Sequence, residues 1–152
     1  METGTYVAHV NYFKKFYDLC FKEQAAEYGL QMIDVHVLLF LKNNPGMNTA
    51  RDIVANRGLS KSNVSNALEK LRGRGMLRLE EDPGSRRIQR IFLNPSGDSV
   101  AAALKKTQSR CFEELLRGFS GEERRTLSLY FRRINENVAA AVKNREQERR
   151  KP

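Results

Sequence analysis

Thr49-Ala50-Arg51-Asp52-Ile53-Val54-Ala55-Asn56-Arg57-Gly58-Leu59-Ser60-Lys61-Ser62-Asn63-Val64-Ser65-Asn66-Ala67-Leu68-Glu69-Lys70-Leu71 contains two short helix patterns and the break between them. The Thr49 hydroxyl can cap orphan backbone N–H groups, and Asp52, three residues on, faces the positive helix end. Gly58 tolerates the left-handed turn that stops such a helix. Ser60 is a second N-cap, and Val64, Ala67, Leu68 and Leu71 follow at i, i+3, i+4 and i+7, one buried face. The other faces carry Lys61, Ser62, Asn63, Ser65, Asn66 and Lys70. Ser and Asn are poor helix formers, and a purely structural surface helix uses longer Glu and Lys instead. Short hydrogen-bonding groups and cations near a helix N-terminus suit a recognition helix meeting base edges and phosphates.

Gly75 ends the second helix. Met76-Leu77-Arg78-Leu79 then alternates, Ile88 to Leu93 returns, and Asp82-Pro83-Gly84-Ser85-Arg86-Arg87 lies between, with Pro-Gly marking the turn. The expectation is a hairpin with cations at its tip, placed to enter a minor groove whose negative potential attracts guanidinium groups. Two helices followed by a basic hairpin define a winged helix-turn-helix. Its expected DNA contacts are Ser60, Lys61, Ser62, Asn63, Ser65, Asn66, Lys70, Arg86 and Arg87. The simpler explanation of Arg86 and Arg87, an edge kept soluble by charge, leaves the recognition-like helix unexplained.

The run Leu59 to Leu71, then Gly75-Met76-Leu77, then Asp82-Pro83, Arg86-Arg87 and Leu93-Asn94-Pro95-Ser96-Gly97 resembles the multiple-antibiotic-resistance regulator (MarR) family of bacterial transcription factors. Asp82, Arg86, Arg87 and Gly97 keep that family's wing pattern. Ser85 departs from it, standing where an Asp would brace the wing arginine. Asn94 stands where Thr would cap the next helix, and Asn caps equally well. Arg57 replaces an apolar side chain, and its stem is expected to snorkel towards DNA or solvent. The resemblance implies terminal helices that interlock into a two-fold dimer, and a crevice for a small aromatic or phenolic effector. The residues matching that crevice are Tyr12, Phe16, Tyr28, Met32 and His36, each of which would serve equally as core.

The flanks fit this plan. Val10, Phe13, Phe16 or Tyr17, and Cys20 or Phe21 recur at helical spacing from about Tyr6 to Tyr28, until Gly29 breaks the pattern. A second helix runs from about Met32 to Asn43, ahead of Pro45-Gly46. Asn94-Pro95 supplies a cap and a first-turn proline for a helix through Val100, Leu104, Cys111, Leu115 and Leu116. After Gly118, Ser120-Gly121-Glu122-Glu123 reads as a capping box opening a last helix through Leu127, Tyr130, Phe131, Ile134, Val138 and Val142. The terminal helices bear more apolar surface than a small reading head needs to cover, which points to a partner. The expected fold is mainly α with a small β-hairpin wing, in one domain spanning 1–152. Within it, 31–97 is the DNA-binding part, 5–29 and 98–145 are dimerisation helices, and 146–152 is a polar, disordered tail.

At 152 residues and 40% hydrophobic, the chain can bury one core without disulfide or metal staples. The net charge is +9, from 27 Lys and Arg against 18 Asp and Glu, which favours a polyanionic partner. Ten cations against five acids between Arg51 and Arg90 give that segment +5. Nothing resembles a secretory segment or a membrane span, so a cytoplasmic location is expected.

Catalysis has little support. His9 and His36 have no partners at hydrolase or metal-ligand spacing, and no glycine-rich phosphate loop precedes a helix. No cofactor or metal is expected, and His36 reads as a hydrogen-bonded, semi-buried residue. Some members of the resembled family sense peroxide with a cysteine on the first helix. Cys20 lies nearer the end of its helix than theirs, and its neighbours Leu19 and Phe21 favour packing. The expected function is a homodimeric repressor that binds a palindromic operator in double-stranded DNA and is released by a small aromatic effector. A sequence-indifferent architectural DNA binder and a protein-interaction adaptor are the alternatives.

Overall fold

The computed structural model describes residues 3–149. Six helices and one hairpin follow in the order α1 (Thr3–Glu27), α2 (Met32–Asn43), α3 (Ala50–Arg57), α4 (Lys61–Gly73), β1 (Leu77–Asp82), β2 (Ser85–Leu93), α5 (Pro95–Leu115) and α6 (Gly121–Arg149). Two compact units divide between Phe112 and Glu113. α6 continues into the stretch expected as a tail, since it is helical through Arg149; residues 150–152 lie outside the described residues.

Local chemistry sets the helix ends. The Thr49 hydroxyl accepts from the Asp52 N–H while Asp52 accepts from the Thr49 N–H, so the box at the start of α3 is reciprocal. Gly58 closes α3 at φ +61°, a left-handed conformation that suits glycine. Ser120 and Glu123 form the same reciprocal box at α6. The Ser120 N–H bond, then the Ser120 hydroxyl, holds the Glu123 carboxyl below its ordinary pKa. Asn94 does not cap α5 with its side chain as expected. Its amide donates instead to the Gly75 carbonyl, and its oxygen accepts from Arg78.

The core of the first unit forms around α2. Val35, Val37, Leu38, Leu39, Phe40 and Leu41 are buried against Phe21 of α1, Ile53 of α3, the Val64, Ala67, Leu68 and Leu71 face of α4, and Leu104 of α5. Each such fully buried aliphatic side chain contributes roughly 1.5–3 kcal/mol relative to exposure. Lys42 pairs with Asp98 at 2.7 Å, and Asn43 donates to Gln108, which donates in turn to the Tyr17 hydroxyl. α1, α2 and α5 are thereby joined by one polar relay.

The hairpin is antiparallel, with Leu77 opposite Leu93 and Leu79 opposite Ile91. Asn48 covers part of its outer edge: its carbonyl accepts from the Ile91 N–H at 2.7 Å and its side chain donates back to the Ile91 carbonyl. Such cover keeps an edge strand from pairing with other chains. Gly97 lets α5 start against this hairpin, because a Cβ there would lie 1.9 Å from the Met76 carbonyl oxygen. No helix among the described residues is long and apolar enough to cross a membrane.

Candidate nucleic-acid interface

α4 presents two chemically different sides. Val64, Ala67, Leu68 and Leu71 are buried, whereas Lys61, Ser62, Asn63, Ser65, Asn66, Glu69 and Lys70 are exposed. Ser60 caps the helix by accepting from the Asn63 N–H at 3.2 Å, and its hydroxyl also lies 3.3 Å from that of Ser62. Lys61, Ser65 and Asn66 make no side-chain hydrogen bond among the described residues, which leaves their polar atoms to solvent. The helix therefore offers a row of short donors and acceptors at its N-terminal end, where base edges are read in a major groove.

The wing differs from its expected form. The strands extend further than the sequence pattern suggested, and only Pro83 and Gly84 lie between them. Arg86 and Arg87 thus belong to β2, not to the tip. Asp82 is paired with Ser85 and Glu81 with Gln89, so Arg86, Arg87 and Ile88 have no cross-strand partner. The irregularity is a bulge, a device that re-aims side chains at a sheet edge. Both arginines are exposed and form no ion pair among the described residues.

Ser85 does not leave the wing unbraced. Asp82 accepts from Arg90 Nε at 2.6 Å with one oxygen and from the Gly84 N–H at 2.8 Å with the other. The Arg90 bond, then the Gly84 N–H, holds the Asp82 carboxyl below its ordinary pKa. Arg90 reaches on to Asn48, tying the wing to the segment before α3. This brace was not legible in the sequence, because it depends on the hairpin register and on Asn48, 42 residues from Arg90.

Several cations of the basic segment are engaged within the fold. The Lys70 ammonium, expected at a phosphate, binds the buried Asp34 carboxylate at 2.7 Å. Arg74 donates to the Tyr28 and Gly29 carbonyls at the end of α1, and Arg78 pairs with Glu80 while lying 5.0 Å from the Phe92 ring centroid. Arg57 is half-buried with its guanidinium 5.8 Å from the Phe40 ring centroid. Arg51, Lys61, Arg72, Arg86 and Arg87 are exposed and form no ion pair among the described residues, and of these Lys61, Arg86 and Arg87 lie on the recognition helix and the wing.

The residues matched to an effector crevice differ in exposure. Tyr12 is 77% exposed, while Phe16, Tyr28, Met32 and His36 are half-buried. His36 stacks on Tyr17 with the rings 5° from parallel, and its Nδ1 is buried without a partner, so the hydrogen bond expected for this histidine is absent from that nitrogen. Burial, then the nearby Arg57 charge, lowers the His36 pKa. A cleft of about 530 Å³ runs along α1, with Lys14, Lys15 and Lys22 beside Leu19, Leu30 and Met32. Met32 alone is common to the expected set and this cleft. Cys20 packs against the core as expected.

A capped helix pair, a polar recognition face and a basic bulged hairpin define the chain as a winged helix-turn-helix protein. Residues 28–88 match the MarR family. That segment, which holds the helix pair and most of the hairpin, is therefore similar to the DNA-binding part of this family of transcriptional regulators. It is 25% identical over 80 residues to YybA, an uncharacterized HTH-type transcriptional regulator of Bacillus subtilis, and the match spans about half of each chain, 53%. The fold is similar to that of a MarR family regulator from Listeria monocytogenes complexed with 26-mer DNA, with TM-score 0.80 and 15% identity, covering 93% of this chain and 91% of that one. It is also similar to Bordetella bronchiseptica BpsR, whose DNA binding is regulated by 6-hydroxynicotinic acid, with TM-score 0.67 and 20% identity, covering 85% of this chain and 98% of that one.

Proposed function

We propose that this protein is a transcriptional regulator that binds a palindromic operator as a homodimer and represses by occluding the promoter. The exposed polar face of α4 beside the bulged basic wing carries this reading. In it, Ser62, Asn63, Ser65 and Asn66 meet base edges, Lys61 meets phosphate, and Arg86 or Arg87 enters the minor groove. The dimer is supported by a stripe on α6 at helical spacing, Phe131, Ile134, Val138 and Val142, each at least 39% exposed. Apolar faces of that extent mark interaction surfaces. Two recognition helices related by a two-fold axis occupy successive major grooves, about ten base pairs apart. Release by an anionic aromatic effector is supported by the lysine-lined cleft along α1 and by the regulation of BpsR.

Fluorescence-anisotropy titration against the duplex upstream of its own gene and a scrambled duplex, across a salt series, tests the operator reading. Tight binding to the native duplex with a large gap over the scramble is expected. Equal, steeply salt-dependent binding to both would favour an architectural role, and no binding to either would favour an adaptor.

A further inference from the structure

Asp34, the third residue of α2, is fully buried. Its Oδ2 accepts from the Gln31 N–H at 2.8 Å and from the Lys70 ammonium at 2.7 Å, across 36 residues of sequence. Its Oδ1 is buried and has no partner. Such a carboxylate has one cation available, and removing that cation would leave an uncompensated buried charge. Lys70 also borders, with Asn63 and Asn66, a small cleft between α4 and the start of α2, of about 310 Å³. These three positions follow one another along one side of α4, at spacings of three and four residues.

We propose that Lys70 acts in DNA reading as a positioning residue: held by buried Asp34, it fixes the rotation of α4 on α2 and releases no phosphate counterion. The inference rests on the operator reading above and changes the role of one residue within it. A step of one residue turns a helix by about 100°, so a modest loss of rotational restraint moves Asn63 and Asn66 off their base edges. A lysine at a phosphate would contribute to affinity on any sequence, with a salt slope of about 0.9 per contact. A positioning lysine contributes to discrimination between sequences and leaves the slope alone.

Lys70→Met and the double variant Asp34→Asn/Lys70→Gln separate the two roles by anisotropy on the upstream and scrambled duplexes across salt. The double variant removes both charges together and leaves no buried carboxylate uncompensated, so it serves where the single one does not fold. The expected result is a salt slope unchanged within about 0.3 in either variant, with the preference for the upstream duplex reduced about tenfold in Lys70→Met, the equivalent of one lost base contact. A slope flattened by about 0.9 with the preference intact, in either variant, would overturn the positioning role and restore Lys70 to a phosphate. Equal binding of the unaltered protein to both duplexes would instead overturn the operator reading itself.

Discussion

Replacing Gly97 with Ala sets two effects of opposite sign against each other. Gly97 lies in the first turn of α5, where alanine would ordinarily stabilise a helix by up to about 1 kcal/mol. Here its Cβ would sit 1.9 Å from the Met76 carbonyl oxygen, 2.8 Å from the carbonyl carbon and 3.1 Å from the Met76 Cα. These are backbone atoms, so no rotamer change relieves the contact, and α5 must retreat by more than about 1 Å. Three bonds join the same junction: Asn94 N–H to the Met76 carbonyl at 2.9 Å, and the Asn94 amide and Ser96 hydroxyl to the Gly75 carbonyl, each at 3.0 Å. At about 1 kcal/mol net per bond, their loss outweighs the propensity gain and leaves a destabilisation of about 2–3 kcal/mol. A thermal melt followed by circular dichroism at fixed protein concentration should show Tm lowered by roughly 4–12 °C. Gly121→Ala is the control, since a Cβ there meets Arg125 Nη1 at an ordinary 3.6 Å. A Tm for Gly97→Ala equal to or above that of the unaltered protein would refute the argument, because it would mean that the junction yields more easily than three bonds allow.

Arg86→Ala should flatten the salt slope of DNA binding by about 0.9 and weaken binding on many sequences alike, and an unchanged slope would remove this arginine from the interface. Ile134→Glu, which sets a carboxylate in the exposed α6 stripe, should shift the protein to monomer in sedimentation while α1 to α5 keep their secondary structure; persistence of a dimer would place the interface elsewhere. The Asp82 brace predicts a pH dependence whose sign follows from its depressed pKa. Its contribution is complete above the ordinary carboxylate range and is lost as pH falls through the lower folded value, so wing amide signals in NMR should move at acidic pH and stop doing so in Asp82→Asn.

What was legible in the sequence was local. Thr49 with Asp52 and Ser120 with Glu123 are caps complete within four residues, and the Val64–Leu71 face is a periodicity that needs no knowledge of what covers it. α2 was readable from its continuous apolar run. The missed features join distant residues: Lys70 to Asp34, Arg74 to the end of α1, and Arg90 to Asp82 and Asn48. A cation looks the same in sequence whether it faces a buried carboxylate or a phosphate. The placement of Arg86 and Arg87 in a bulged strand depended on the register, which Pro83-Gly84 marks only as a turn. Asn94 had the right chemistry for a cap, but the Gly75 carbonyl, brought close by the packing at Gly97, took its amide.

Hydroxyl-radical footprinting of the DNA upstream of this protein's own gene bears most directly on operator recognition by paired α4 helices and wings. The account predicts two related protected patches about one helical turn apart, with Asn63→Ala and Asn66→Ala losing that pattern before they lose binding to bulk DNA. Uniform protection along the duplex, or a footprint indifferent to both substitutions, would contradict it.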